Sequence, residues 1–294
     1  MAFVEFCQTP LGEVIQTALE VPHVVLAARM HRIEMYNSLV VDKGVNWGRV
    51  DVLFGSAPHV IDRFIQKRSG ASKPKQIVHV PTNTADPEKF RFVERTWEPP
   101  FRLCMLGNFV PKKRQYTLIQ CMHDVRERHG EDFLLDIVGE QGRWSGYGNP
   151  EYFQNCMDLI EDLNLEKLVT VYAKVPHEEV PRLLAREHVI VSNSNEEGTH
   201  VAIAEAALTG CIPFCNFWRG VEKVYPSDVA WHFRSPAEFL ELCGRLKQCA
   251  TENRLSGVSR DLSQKAKELY GNMSLYQKMV SHLKGKVAEK FPTV

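Results

Sequence analysis

Short apolar runs alternate along the chain with stretches whose apolar residues recur at helical spacing. Four runs read as strands before a Pro-rich break at Trp97-Glu98-Pro99-Pro100: Phe3–Phe6, His23–Ala28, Val50–Phe54 and Gln76–Val80. Six follow it: Arg102–Leu106, Leu134–Val138, Val169–Tyr172, Val189–Val191, Ile212–Phe214 and Val229–Trp231. Most are continuous rather than alternating, as strands buried on both faces of a parallel sheet are. Arg114–Arg128, Pro150–Leu163, His177–Ala185 and His200–Leu208 read as helices. Ser235-Pro236-Ala237-Glu238 opens another, with a Ser cap, Pro at the first position and an acid in the first turn. The tail from Gly257 to about Lys286 predicts two amphipathic helices broken near Gly271-Asn272.

This alternation predicts an α/β fold built of βαβ units. Residues 81–100, rich in Pro, Thr, Asp and Glu, read as the linker between two Rossmann-like lobes. A doubly wound nucleotide-binding lobe usually has about six strands, which the second lobe has and the first lacks. The first lobe is therefore expected to be truncated. An incomplete sheet leaves an open edge, so a homodimer or a partner subunit is expected to cover it through residues 1–40.

Composition narrows the class. The chain has 294 residues, 44% hydrophobic and 24% charged, which suits a globular protein with a sizeable core. Lys+Arg and Asp+Glu both number 36. That balance lacks the basic excess of a broad nucleic-acid footprint, and no nucleic-acid partner is expected. The eight cysteines contain no CxxC pair and several sit in apolar runs. Buried thiols in a reducing compartment are the expectation. No basic n-region with an apolar core opens the chain, and no run of ~18 apolar residues occurs. A cytoplasmic location is expected, with peripheral membrane contact left open.

The densest chemical signal runs from Ser192 to Pro213. A buried strand ends in a small polar loop, a Gly precedes a helix start, and the helix runs into Gly210. Such a helix N-terminus can receive phosphate through backbone N–H groups, here at Gly198, Thr199 and His200. Glu197 lies at its mouth and Glu205 two turns on. Carboxylates accept paired hydrogen bonds from vicinal diols, which suits sugar and ribose. Taken alone, the two acids better fit a surface helix with solvated Glu.

The segment resembles the E-x7-E motif of retaining glycosyltransferases of the GT-B fold, particularly family four (glycosyl transferases group 1). Ser194, Glu197, Gly198, Glu205, Ala206 and Gly210 match in register. Leu208 replaces a second Ala, and Pro213 comes one residue late. Other segments are similar to the family's in the same order. Gly107-Asn108 through Lys113 resembles the loop where an Arg and a Lys hold the donor diphosphate, with Asn108 in place of the Arg. Asp136–Glu140, with Gly139, resembles the strand and loop leading to the base pocket. Val171–Glu179 resembles the segment whose backbone reads the base at Val175. Pro81–Asp86 resembles the stretch before the second lobe. Arg29–Glu34 resembles an H-x-x-E segment that places His31 near the transferred sugar, and Phe54–Ala57 a small-residue loop opening a helix.

The resemblance implies a GT-B-like protein of two Rossmann-like lobes with a shortened first lobe. It implies a partial N-terminal lobe over 1–90, a nucleotide-sugar-binding lobe over 91–256, and helices over 257–294 packing back toward the first lobe. It implies transfer of a hexose from a nucleoside diphosphate sugar to an acceptor hydroxyl (glycan, lipid or protein) with retention, without metal or cofactor. Lys113, Glu197 and His31 would serve the reaction. Glu205, Gly198, Thr199, His200, Asn108, Gly107, Gly139 and Val175 would bind the donor. A non-catalytic or partner-dependent nucleotide-sugar-binding protein is the alternative, motivated by Asn108 and the short first lobe. A fragment of a longer product and a two-lobed sugar epimerase are further readings. His177 with Glu178 and Glu179 looks like a metal cluster but opens a short helix without a second His at ligand spacing. Trp218 is expected on the ligand side and Trp231 in the core.

Overall fold

The computed structural model describes residues 2–5, 21, 24–31, 46–55, 57–67, 72–80, 84–141 and 148–292. In chain order the strands are β1 (Ala2–Glu5), β2 (Leu26–Met30), β3 (Val52–Gly55), β4 (Gln76–His79), β5 (Phe101–Leu106), β6 (Phe133–Val138), β7 (Val169–Tyr172), β8 (Val189–Ser192), β9 (Ile212–Asn216) and β10 (Trp231–Phe233). The helices are α1 (Pro58–Lys67), α2 (Gln115–His129), α3 (Pro150–Asp162), α4 (Val180–Leu184), α5 (Ala202–Thr209), α6 (Val221–Val224), α7 (Pro236–Thr251), α8 (Leu255–Tyr270) and α9 (Asn272–Lys290). Among the described residues the paired strands are parallel, in two sheets, as the apolar runs predict. The chain divides into two compact units. One comprises Met1–Thr84, Glu197–Thr199 and Tyr270–Val294, the other Ala85–Glu196 and His200–Leu269.

In the first unit, the described strands form a sheet in the order β1-β2-β3-β4. β3 passes into α1 at Gly55, where a Cβ would lie 2.1 Å from Ile61 Cγ1. A side chain at residue 55 would displace the buried Ile61 side chain from its place against the strand end. Ala27, Val52, Phe54, Val78 and Val80 present an apolar face, and Met279 and Leu283 of α9 pack on it. Burying a side chain such as Met279 contributes roughly 1.5–3 kcal/mol. Polar contacts fix the same helix. Lys290 Nζ donates to Val24 O (2.6 Å) and Asp51 Oδ2 (3.3 Å). Asp51 also accepts from Leu26 N (2.9 Å) and Lys75 Nζ (2.6 Å). Burial raises its carboxyl pKa, but the bonds from Lys75, Leu26 and Lys290 outweigh that and hold it below the ordinary value.

In the second unit the order is β10-β9-β8-β5-β6-β7. Connections run outward in both directions from β5, so β5 and β8 flank the point where strand order reverses. Open α/β sheets bind ligands at the carboxyl ends of strands there. Leu118, Met122 and Val125 of α2, Ile160 of α3 and Phe239, Leu242 and Leu246 of α7 pack in one core with Leu103, Leu135, Ile137 and Phe214 of the sheet. The caps follow the sequence. Asn149 Oδ1 accepts from Tyr152 N (2.9 Å) before Pro150, and Ser235 Oγ from Glu238 N (3.2 Å) before Pro236. The seven described cysteines are buried and unbridged.

Helix α5, which carries the second acid of the E-x7-E segment, is buried along its whole length. Gly210 ends it at φ 92°, a left-handed conformation suited to glycine. The carbonyls at that end are all met. Ser263 Oγ donates to Leu208 O (2.7 Å), Arg95 Nη1 to Thr209 O (2.6 Å) and Ser259 Oγ to Gly210 O (2.6 Å). The helix is thus clamped at one end and open to ligand at the other.

Candidate functional site

A cavity of about 430 Å³ opens at the carboxyl ends of β5 and β6 and the start of α5. Gly107, Asn108, Lys112, Lys113, Gly139, Lys174, Val175, His200, Val201, Ala202 and Glu205 line it, all from the second unit. Three lysines face one carboxylate, so the cavity favours an anion.

Its floor is backbone. A Cβ on Gly139 would lie 2.1 Å from Gly107 O, and one on Gly107 would lie 3.3 Å from Lys113 Cε. Gly139 is required by this close approach to backbone, whereas at Gly107 the neighbour is the flexible end of a lysine. Gln115, buried at the head of α2, donates through Nε2 to Asn108 O (2.9 Å) and Gly107 O (3.3 Å). The lysine loop is a 3-10 turn, Pro111–Lys113, closed by Arg114 at φ 59°. Asn195 N donates to Lys112 O (2.9 Å) and Asn193 Nδ2 to Arg114 O (2.9 Å). Asn216 Nδ2 in turn donates to Ser194 O (3.0 Å). The small polar residues after β8 thus fasten the two cavity loops together.

His200 ties the site to the sheet. A carbonyl only accepts, so Nε2 donates to Leu106 O (3.1 Å), while Nδ1 shares a hydrogen bond with Ser192 Oγ (2.7 Å). The ring thus bridges the ends of β5 and β8. Tyr225 Oη donates to His200 O (3.1 Å), and the residue sits at φ 25°. That backbone is not helical, so α5 begins at Ala202 and not at the predicted His200. The N–H groups of Gly198, Thr199 and His200 belong to the preceding loop, while Val201 and Ala202 bring the helix start to the cavity. Glu205, 6% exposed, accepts from His177 Nε2 at 2.8 Å.

Of the residues singled out in the sequence, Gly107, Asn108, Lys113, Gly139, Val175, His200 and Glu205 meet at this cavity. Glu197, Gly198 and Thr199 group with the first unit, where His59 Nε2 donates to Glu197 O (2.8 Å). His31, half-buried, follows β2 in that unit. Ser56, Trp144, Pro81–Asn83, Arg32–Glu34 and most of residues 1–40 lie outside the described residues. Trp218 is 2% exposed, which corrects its expected ligand-side position, whereas Trp231 stacks in the core on Phe214 at 5.6 Å. Lys112, Lys174 and the pairing of His177 with Glu205 were not foreseen. Lys174 neighbours Val175 in a recognised segment, but nothing local joins residues 177 and 205.

A larger cavity, about 550 Å³, is lined by Arg95, Trp97, Phe101, Lys247 and Asn253 among others. It borders the start of β5, the opposite end of that strand from the one where such sheets bind ligands. Among the described residues no three His, Cys, Asp or Glu stand together as a metal site, and no helix is long and apolar enough to cross a membrane.

The family model of glycosyl transferases group 1 matches residues 86–236, more than half of the chain. The chain therefore belongs to that family of glycosyltransferases. Its α/β fold is the GT-B fold of solved glycosyltransferase structures. It is similar to sucrose-phosphate synthase from Thermosynechococcus elongatus (TM-score 0.73, 15% identity, 98% of this chain and 74% of that one). It is similar to HepE of Anabaena in complex with UDP-glucose (TM-score 0.74, 15% identity, 96% and 78%). A glycosyltransferase from Rickettsia africae gives TM-score 0.71 at 10% identity, with 97% and 82% covered. No curated protein matches the chain.

Proposed function

We propose that this glycosyltransferase moves a hexose from a nucleoside diphosphate sugar to an acceptor hydroxyl, with retention of configuration and without a metal. The observation that carries this reading is the convergence of seven motif residues, from four separate segments, on one cationic cavity at a strand-order reversal. HepE, of similar fold, was solved with UDP-glucose.

Lys113 is the principal cation for the diphosphate. Asn108 brings no charge where the family has Arg, and Lys112 and Lys174 supply cations on the same cavity wall. Preorganised cations and N–H dipoles stabilise charge on a departing phosphate without reorganising in the reaction. Gly107 and Gly139 let the phosphates approach the main chain, Val175 meets the base, and Glu205 receives the ribose hydroxyls. The resemblance alone assigns Glu197 and His31 to the transferred sugar. No protein nucleophile is needed, because the departing diphosphate can take the acceptor proton on the same face.

Asn108 also favours a second reading, a protein that binds nucleotide sugar without turnover. Intact-mass analysis with a panel of nucleotide sugars and glycan, lipid and protein acceptors decides between them. A hexose mass increment with chelator present, and a product of unchanged anomeric configuration by NMR, is expected. Donor binding without any increment selects the second reading. Absence of donor binding refutes both.

A further inference from the structure

We infer that His177 is a positioning residue that holds the Glu205 carboxylate for ribose, an inference that rests on the assignment of Glu205 proposed above. Three residues of the second unit form a chain. Lys89 Nζ lies 3.0 Å from His177 Nδ1, and His177 Nε2 lies 2.8 Å from Glu205 Oε1. An ammonium group only donates. Nδ1 therefore accepts and bears no hydrogen, and Nε2–H must point to the carboxylate. Lys89 and the Glu205 carboxylate thus require the same tautomer from the two sides of the ring.

The surroundings make this chain directional. Glu205 is almost buried, its side chain 8% exposed, whereas the His177 side chain is 62% exposed. A carboxylate in that setting needs its donors held in place, because an orphaned buried oxygen is destabilising. The imidazole is steadied by the ring of buried Phe90, centroids 5.7 Å apart. It is also steadied by the turn in which Glu179 N donates to Pro176 O (3.0 Å). Val175, two residues before, lines the cavity. One short segment therefore meets the base through Val175 and orients the ribose acid through His177. With Oε1 held by the histidine, Oε2 is left to accept from a ribose hydroxyl.

The test is calorimetry with UDP and GDP and their 2′,3′-dideoxy analogues, on the full chain and its variants. The ratio of ribose to dideoxy affinity reads the carboxylate and is insensitive to a general loss of structure. The intact protein should prefer ribose, and Glu205→Ala should abolish the preference. His177→Ala should lower it by about 5- to 10-fold, the worth of one ordinary hydrogen bond. His177→Gln, whose amide reaches the position of Nε2, should restore most of it. Adding His177→Ala to Glu205→Ala should change nothing further. A ribose preference intact in His177→Ala but lost in Glu205→Ala overturns the inference and spares the donor-site reading. A preference untouched in Glu205→Ala, or no binding of either nucleotide, overturns both. ¹⁵N NMR of the histidine ring supplies an independent check. The Nε2–H tautomer is expected in the intact protein and, because the Glu205 carboxylate alone still requires that hydrogen, in Lys89→Ala as well; an Nδ1–H tautomer in the intact protein refutes the chain.

Discussion

Gly139 approaches Gly107 so closely that a Cβ at residue 139 would lie 2.1 Å from the Gly107 carbonyl oxygen and 2.6 Å from its carbon. The ends of β6 and β5 meet here backbone to backbone, beneath the cavity. Gly139→Ala must push them apart, at a destabilisation of about 1–3 kcal/mol, and nucleoside diphosphate affinity should fall at least ~10-fold as the cavity deforms. Gly257→Ala is the control. Gly257 lies in α8 with nothing within 4 Å of its would-be Cβ, and there alanine should be neutral or stabilise by up to ~1 kcal/mol. Thermal melts and calorimetry check both. An unchanged Gly139→Ala protein would contradict the packing described.

Glu187 should make the second unit less stable as pH rises through neutrality. It is fully buried, and burial, with the charge of Asp136 adding, pushes its carboxyl up to about 7 against the pull of Arg102 and Arg186. A folded-state pKa above the unfolded value gives a contribution fully present below the unfolded value and lost as pH rises through the folded one. Glu187→Gln cannot ionise. Its stability relative to the intact protein should therefore improve between about pH 5 and pH 8. Urea denaturation across that range measures it, and a difference that stays constant with pH would contradict the assignment.

Asp51 carries the opposite sign. Burial raises its pKa, but the bonds from Lys75, Leu26 and Lys290 win and the folded value is lowered. Its contribution is present above the ordinary carboxylate value and disappears as pH falls through the lowered one. Asp51→Ala should destabilise the first unit by about 2 kcal/mol at neutral pH. It should also loosen α9, whose Lys290 it anchors. Hydrogen exchange along α9 should rise above that of α7. Equal exchange in variant and intact protein would remove the anchor from the account.

Much of this was legible in the sequence, for a physical reason. All ten strand runs form strands, and an inner strand such as β3, buried at every position, has to be apolar throughout. The helix break at Gly271 also falls where the sequence puts it. Ends slipped where tertiary bonds overrode local pattern. The last strand starts at Trp231 and not Val229, because Val229 N and Ala230 N both turn back to Pro226 O. The helix predicted from His177 starts at Val180, because residues 176–179 form a separate turn that frees His177 to reach Glu205. Trp218 looked ligand-facing from its loop position, yet a large ring beside a sheet end is readily buried. The Arg95 bonds to Leu184, Glu187 and Thr209 span separations of 89 to 114 residues. No periodicity encodes contacts of that range.

Binding of UDP and GDP to Lys113→Ala and Lys247→Ala tests the central claim most directly, because Lys113 lines the candidate donor cavity and Lys247 the larger cavity at the start of β5. If the cavity at the ends of β5 and β6 is the donor site, Lys113→Ala should weaken the diphosphates at least ~10-fold and leave uridine and guanosine nearly unchanged, since the lost charge acts on phosphate. Lys247→Ala should bind all four as the intact protein does. Equal losses for nucleosides and diphosphates in Lys113→Ala, or a diphosphate loss confined to Lys247→Ala, would contradict the account.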